Sequence, residues 1–175
     1  IKDRIQGMSM MEAVLEINHW CAGEVMYQGT DMRTGSALEI YRSGVGRCGE
    51  EAVFVVNVLR SAGIPARPVY VPRWSHCDDN HAWVEVWCDG DWHYLGACEP
   101  EAVLDKGWFT NAASRAMMIG SRWYDRAMPD EDVIGKDGMN RIINLLGKYA
   151  KTKLITIRVE DLEGTPAGGA RVQAE

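Results

Sequence analysis

The sequence predicts an α+β fold, in which a long buried helix is followed by antiparallel strands. Residues 48–62, "CGEEAVFVVNVLRSA", form an unbroken apolar run. A run of about fifteen residues is longer than a typical strand, so it predicts a helix. Residues 66–71, "ARPVYV", read as a strand. In residues 81–97, "HAWVEVWCDGDWHYLGA", two alternating runs flank an Asp-Gly pair, which is the pattern of a β-hairpin with a two-residue turn.

Local signals mark the ends of two helices. Ser9 is a candidate N-cap residue with Glu12 three positions later, and apolar residues follow at helical spacing to residue 20. In the 48–62 helix, Glu50 and Glu51 fall in the first turn, and "GIP" follows the last turn. This helix is apolar almost all round, which predicts that it is the buried central helix. The stretch between the two helices, residues 22–42, looks irregular.

The second half of the chain predicts a change of domain. Residues 103–119 and 137–150 read as loops with short helices. From residue 153, "KLITIRVEDLEGTPAGGARV" has the pattern of a strand, a turn and the start of a second strand. Two strands cannot bury a sandwich core of their own. We therefore expect one domain over residues 1–150 and the beginning of a β-sandwich (Ig-like) domain over residues 151–175, with further sandwich domains in the full-length chain.

Composition excludes several classes of partner. The 175 residues carry a net charge of −6 and no basic block, so a nucleic acid is not an expected partner. No run of about 18 apolar residues occurs, so no membrane span is predicted. The chain has five cysteines but no C-x-x-C pair. His76, Cys77 and His81 lack a second cluster that would complete a zinc site, so neither a metal nor another cofactor is predicted.

Cys48 is the residue with the clearest chemical potential. It falls at the amino end of the central helix, where partial positive charge lowers a thiol pKa and favours the reactive thiolate. Gly46 and Gly49 flank it, which would let a substrate backbone approach closely. His81 opens the first strand of the hairpin, where it could act as a base. The alternative for Cys48 is an inert buried thiol, and for His81 a histidine satisfied at a strand end.

The stretch "GVGRCGEEAVFVVNVLRSAGIPARPV" followed by "HAWVEVWCDGDWHYL" resembles the transglutaminase-like superfamily, and its bacterial members in particular. The matching features are a Gly-x-Cys at a helix start, an apolar helix, "AGIPAR" and a His-Ala-Trp-x-Glu strand. The resemblance covers roughly residues 10–110. It implies a papain-like core with a Cys-bearing helix packed on an antiparallel sheet, with Cys48 as the nucleophile and His81 as the general base.

The sequence departs from the family at the third catalytic position. The family usually has an aspartate in the second hairpin strand, and Gly96 takes that place here. Glu99, in "ACEP", is the nearest acid. A regular ladder would put Glu99 on the other face from His81, so it could reach His81 only if the strand bulges or ends near Gly96. The alternative is that Glu99 is a surface carboxylate before a proline.

Tryptophans are the candidates for substrate binding. The chain has seven of them, and several could line a groove. Trp20 is the candidate side-chain donor of an oxyanion hole, because an indole N–H can only donate; core packing is its alternative. Trp83, together with Gly46 and Gly49, is assigned to the substrate groove.

The resemblance implies cysteine-dependent acyl transfer on peptide or protein amide bonds through a thioester. Hydrolysis is the favoured outcome. Protein cross-linking by a transglutaminase is one alternative. A non-catalytic module that binds peptide or glycan is another, and the missing aspartate favours it. An exported location (periplasm, cell surface or secreted) is expected from the sandwich domain and from a chain that starts without Met.

Overall fold

The computed structural model describes residues 1–29, 34–124 and 132–172. A six-stranded antiparallel sheet forms its centre, in the spatial order β5-β4-β3-β6-β8-β7, and two short parallel strands form a second sheet. The strands are β1 (Met26–Tyr27), β2 (Val45–Gly46), β3 (Ala66–Val71), β4 (His81–Cys88), β5 (Asp91–Leu95), β6 (Gly120–Trp123), β7 (Val133–Asp137) and β8 (Asn140–Asn144). The helices are α1 (Met10–Glu24), α2 (Ala37–Ser43), α3 (Cys48–Ser61), α4 (Thr110–Ala113) and α5 (Leu146–Tyr149).

Helix α3 is the central helix that the apolar run predicts. Its residues Val55 and Leu59 are fully buried in one cluster with Val84 and Val86 of β4. Helix α1 packs into the same cluster, and its capping box between Ser9 and Glu12 is formed as predicted. The predicted α+β class, with the Cys-bearing helix on an antiparallel sheet, is confirmed.

The opposite face of the sheet carries a second core. It contains Trp83, Phe109 and Ile143, because alternate residues of a strand point to opposite faces. A buried ion pair joins Arg67 Nε to Glu85 Oε2 at 2.6 Å, and the Tyr149 hydroxyl donates to the other Glu85 oxygen at 2.7 Å. These bonds fix the register of β3 and β4 and hold α5 against the sheet.

The β4–β5 hairpin forms as predicted. Asp89 and Gly90 both have positive φ, as a two-residue turn of this kind requires, and the ladder runs from Cys88 opposite Asp91 to Val84 opposite Leu95. Pairing between β4 and β5 ends at Leu95.

Two expectations about irregular segments were wrong. Residues 37–43 of the supposedly irregular stretch form α2, which begins at a capping box between Ser36 and Glu39; residues 30–33 of that stretch lie outside the described residues. Residues 137–150 contain β8 as well as α5, because Gly138 makes a two-residue turn with positive φ between β7 and β8. The β-branched pair Ile142-Ile143 then suits the sheet.

Residues 151–172 do not form the expected pair of strands in this structure. Their one β-bridge joins Glu160 to Pro166, and nearly all of their side chains are exposed. Leu154 and Leu162 are both fully accessible. The assignment of this segment to a separate β-sandwich domain stays a prediction, and residues 173–175 of it lie outside the described residues. Within the described residues, no helix is long and apolar enough to cross a membrane.

Candidate active site

Cys48 is the first residue of α3, and the start of that helix is fixed by a neighbouring carboxylate. The Glu50 side chain accepts the backbone N–H of Arg47 at 3.0 Å and the backbone N–H of Gly35 at 3.2 Å. The backbone N–H groups of Gly49 and Ala82 both act on the Cys48 thiol and favour its thiolate. Since Ala82 directly follows His81, the structure brings the thiol to the strand end that carries the predicted base.

His81 is the first residue of β4, opposite Val71, and is only 5% exposed. Four aromatic rings surround its imidazole, with ring-centroid distances of 4.7 to 6.3 Å; they belong to Trp74, Trp83, Trp108 and Phe109. Its Nε2 atom is buried and has no hydrogen-bond partner among the described residues. The imidazole ring is therefore held by packing against these aromatic side chains, and its Nε2 atom remains available for a hydrogen bond.

Burial sets the protonation state of the pair. It raises the pKa of the Cys48 thiol above its usual value, although the N–H groups of Ala82 and Gly49 act in the opposite direction. Burial also lowers the pKa of His81 to about 4. The expectation that the helix terminus would lower the thiol pKa is therefore wrong for the resting structure, because desolvation disfavours the thiolate more strongly. At neutral pH the site holds a neutral thiol and a neutral imidazole.

Glu99 lies in a turn that begins where β5 ends. The Glu99 N–H donates to the Gly96 carbonyl at 3.3 Å, and Cys98 adopts a positive φ of 57°. A Cβ atom built on Gly96 would overlap the Glu99 carboxylate and lie 2.8 Å from the Glu99 Cβ. The carboxylate of Glu99 thus fills the space in which a side chain at position 96 would start. Strand β5 ends at Leu95, next to Gly96, and a strand end at this point is what Glu99 needs in order to approach His81.

Asn18 of α1 anchors this turn. Its Nδ2 donates to the carbonyls of Gly96 at 2.9 Å and Glu99 at 3.3 Å, and its Oδ1 accepts the N–H of Cys98 at 3.0 Å. Asn18 is only 2% exposed. A side chain buried in this way fixes the backbone that carries Glu99.

The two carboxylate oxygens of Glu99 have different surroundings. Oε1 accepts the indole N–H of Trp108 at 3.0 Å, whereas Oε2 is buried without a partner among the described residues. Burial raises the pKa of Glu99, and the Trp108 hydrogen bond lowers it in part. Trp108 also lies against His81, with ring centroids 4.7 Å apart. Trp108 therefore contacts both candidate residues, and the described contacts contain no direct hydrogen bond between them.

Glu51 is a second acid of the site. It lies three residues after Cys48 on α3 and is only 4% exposed. Burial, followed by the neighbouring Glu99 charge, raises its pKa to about 7. Its own charge acts against ionisation of Cys48 and Cys98. The buried Glu51 and the half-buried Glu99 thus form an acidic pair, of which Glu51 lies beside the thiol.

Of the residues assigned to the substrate groove, Trp83 and Gly46 are buried, and Gly49 lies next to the thiol. Trp83 is fully buried and donates its indole N–H to the Tyr149 hydroxyl at 2.9 Å, so its assignment to an open groove was wrong; it packs beneath His81 instead. Gly46 is buried, and a Cβ there would lie 3.0 Å from the Glu50 Cβ, so helix packing accounts for this glycine. Gly49 is half-buried and directly follows Cys48, and its N–H favours the thiolate of that residue.

Trp20 packs in an aromatic cluster with Tyr41 and Phe54, at centroid distances of 6.1 Å to each. Phe54 is six residues beyond Cys48, which places it about 9 Å along the helix axis. These contacts support the core-packing alternative, and the oxyanion role of Trp20 stays a prediction without a contact that supports it.

Sequence reasoning missed three residues of the site: Asn18, Glu51 and Trp108. A signal was present for two of them. Asn18 is a polar residue on the apolar face of α1. Glu51 is the second acid in the first turn of α3, where Glu50 makes the capping hydrogen bond, so the cap does not account for Glu51. Trp108 lies in a segment without periodicity, so nothing in the local pattern would have linked it to His81. Among the described residues, no group of three or more His, Cys, Asp and Glu is arranged to hold a metal ion.

A sequence profile described as the transglutaminase-like superfamily matches residues 1–97, more than half of the chain. The chain belongs to this superfamily. The match includes Cys48, His81 and Gly96, and ends just before Glu99. Among curated proteins, none matches the sequence at a significant level.

Several solved structures are similar to this chain at low sequence identity. Legionella pneumophila LapG is 16% identical over 59% of this chain and 62% of its own, with a TM-score of 0.49. A candidate cysteine protease from Cytophaga hutchinsonii is 20% identical over 75% of this chain and 51% of its own (TM-score 0.43). A candidate protease from Parabacteroides distasonis is 19% identical over 66% of this chain, with a TM-score of 0.50. This chain covers only 23% of the length of that last protein.

Proposed function

We propose that the domain performs cysteine-dependent acyl transfer on peptide or protein amide bonds through a thioester, with hydrolysis as the outcome. One observation carries the proposal. Cys48 is the first residue of α3 and His81 is the first residue of β4, and these two elements pack together in one buried cluster. The backbone N–H of Ala82, the residue that follows His81, acts on the Cys48 thiol and favours its thiolate. A nucleophile and a base on neighbouring elements are what covalent catalysis by a thiol requires. The name of the Parabacteroides distasonis protein, a candidate protease, agrees with a peptide substrate.

The proposed reaction starts from the neutral pair. His81 takes the Cys48 proton as the sulfur attacks the amide carbonyl carbon, and a tetrahedral oxyanion forms. The C–N bond then breaks, and the imidazolium gives its proton to the leaving amine, which leaves a thioester on Cys48. Water then attacks the thioester carbonyl carbon and gives a proton to His81. The C–S bond breaks, the carboxylic acid product leaves, and the imidazolium returns its proton to the sulfur, which restores the thiol. The Cys48 N–H, in the first turn of α3, is the proposed backbone donor to the oxyanion.

Because the resting imidazole is neutral, His81 is in the form that accepts a proton at any pH above about 4. The charge separation then develops during the attack and needs stabilisation from nearby groups. Glu99 is the proposed source. Its carboxylate occupies the space next to Gly96, the position at which the resemblance implies an aspartate. Trp108 holds Oε1, whereas Oε2 has no partner among the described residues and is the oxygen proposed to accept from His81. Glu99 is thus proposed as the third catalytic residue, after Cys48 and His81.

A second candidate function is a non-catalytic peptide-binding or glycan-binding module. The observation that favours it is that the half-buried Cys48 and the buried His81 are both uncharged, together with the hydrogen bond that Trp108 makes to Glu99. Protein cross-linking is distinguished from hydrolysis only by the acceptor, an amine in place of water. An exported location and further sandwich domains remain part of this proposal.

The test uses the full chain with a proteome-derived peptide library, with and without a primary amine such as glycine ethyl ester. Mass spectrometry identifies new peptide termini (hydrolysis) or amine adducts (transfer). We expect new termini with the wild-type protein and none with Cys48→Ala or His81→Ala. Cys77→Ala is the matched control, because Cys77 is an exposed thiol on the loop before β4. Unchanged peptides with the wild-type protein, or products that persist in Cys48→Ala, would refute the proposal.

A further inference from the structure

Among the described residues, four aromatic side chains surround His81, and Trp108 is the exposed one. Trp74, Trp83 and Phe109 are each at most 4% exposed, whereas Trp108 is 63% exposed. Yet Trp108 has the smallest ring-centroid distance to the imidazole, 4.7 Å. A large apolar surface kept in water is unfavourable by itself, so an exposed Trp next to a candidate base calls for a binding partner.

Trp108 is held rigidly although it is exposed. Its indole N–H donates to Glu99 Oε1 at 3.0 Å, and the next residue, Phe109, is fully buried. On the other side, the Gly107 N–H donates to Thr110 Oγ1 at 3.1 Å, and that oxygen is hydrogen-bonded to the Tyr94 hydroxyl at 2.9 Å. The exposed face of the indole is therefore preformed, so binding to it requires little ordering of the side chain.

The position of Trp108 decides which part of a substrate it would meet. In the proposed reaction His81 gives its proton to the leaving amine, so the leaving segment must pass beside the imidazole. Trp108 lies against that imidazole and is the exposed part of its surroundings. Its free face therefore borders the leaving-group side of the scissile bond.

From this geometry we infer that Trp108 forms a subsite for an apolar or aromatic side chain on the leaving segment, at the first residue after the scissile bond. The inference rests on the proposed function and specifies its substrate class: peptides with an apolar residue at that position. A flat indole face binds apolar and aromatic groups through dispersion and ring contacts. Trp108 acts here as a specificity-determining residue, and its hydrogen bond to Glu99 sets its orientation.

The experiment compares cleavage of the peptide library by the wild-type protein, Trp108→Phe, Trp108→Ala and Trp87→Ala. Trp87 is the control, since it is another partly exposed Trp. It lies on β4, six residues from His81 and therefore about 20 Å away. We expect the wild type, Trp108→Phe and Trp87→Ala to prefer apolar residues at the first position of the leaving segment. Trp108→Ala should lose about tenfold in kcat/KM for such peptides, and much less for peptides with glycine there.

Each outcome of this comparison is decisive. The subsite is refuted if Trp108→Ala keeps the wild-type preference, or if it cleaves apolar and glycine peptides with the same loss, which would indicate that Trp108 only supports Glu99. Loss of the preference in Trp108→Phe as well would show that the indole N–H matters rather than the ring face, and would also refute it. A wild-type protein that cleaves no peptide refutes the proposed function itself, which separates that failure from a failure of the subsite.

Discussion

The Glu99 carboxylate occupies the space that a side chain on Gly96 would enter. The two positions are three residues apart, and the turn between them is closed by the hydrogen bond from the Glu99 N–H to the Gly96 carbonyl. An acid at position 99 and a side chain at position 96 are therefore mutually exclusive in this conformation. This relationship accounts for the glycine at position 96.

An exchange of the acid between the two positions tests this relationship. Gly96→Asp alone should displace Glu99 and lower kcat/KM for peptide cleavage at least about tenfold, and Glu99→Ala should do the same by removing the carboxylate. The double variant Gly96→Asp/Glu99→Ala should recover much of the lost activity, because it places one acid in the vacated space. A double variant no more active than either single variant would contradict the equivalence of the two positions.

Removal of the Asn18 side chain should destabilise the protein. Asn18→Ala leaves the Cys98 N–H and the Glu99 carbonyl without this partner and removes one of the two donors to the buried Gly96 carbonyl, which should reduce the free energy of unfolding by about 3 kcal/mol. Urea unfolding measures this change. Asn57→Ala is the control, because Asn57 makes one exposed hydrogen bond to Val53 and should change stability little. Equal effects of the two substitutions would show that the turn does not depend on Asn18.

Glu51 should make stability depend on pH. Its folded-state pKa of about 7 is raised above the ordinary value of 4.5, so the folded protein holds this proton more tightly than the unfolded chain does. The favourable contribution is present at low pH and is lost as pH rises to about 7. Glu51→Gln removes the titration, and should therefore be increasingly stabilising relative to the wild type between pH 4.5 and 7, by up to about 3 kcal/mol. The free energies of unfolding of both proteins, measured across this range, check the sign; a difference independent of pH would contradict it.

The segment after residue 150 should be dispensable for folding of the core. Nearly all side chains of residues 151–172 are exposed, and the buried clusters contain none of them. A chain that ends at Ala150 should unfold within about 1 kcal/mol of the longer chain in urea, since exposed positions contribute little. A loss of several kcal/mol would assign the segment to the first domain.

Local sequence patterns were sufficient to predict the helices and strands that have a strong signal within their own residues. Helix α3 and the β4–β5 hairpin have a long apolar run and an Asp-Gly turn, and their bounds agree with the sequence to within about a residue or two. Strand β8 was missed because periodicity alone does not distinguish a short apolar run in a strand from one in a helix, and pairing with the neighbouring strands β6 and β7 decides between them. Helix α2 was missed because seven residues are too few to show a period.

The places of Cys48 and His81 in the fold were predictable, and the surroundings of these residues were not. The structure has Cys48 at the start of α3 and His81 at the start of β4, as local pattern indicates, and their catalytic roles stay a prediction. Their protonation could not be predicted, because the sign of a pKa shift depends on burial, which tertiary packing determines. The contacts of Glu99 with Asn18 and Trp108 join three distant parts of the chain, and one sequence carries no record of such contacts.

The claim that Cys48 is the nucleophile and His81 its base is tested most directly by acylation with p-nitrophenyl acetate. The measurement is the burst of p-nitrophenol, combined with peptide mapping of the acetylated residue after acid quench. We predict a burst of about one equivalent with the acetyl group on Cys48, no burst in Cys48→Ala, and a burst at least about a hundredfold slower in His81→Ala, as loss of a general base entails. A burst that persists in Cys48→Ala, or an acetylation rate of Cys48 that is the same with and without His81, would contradict the account.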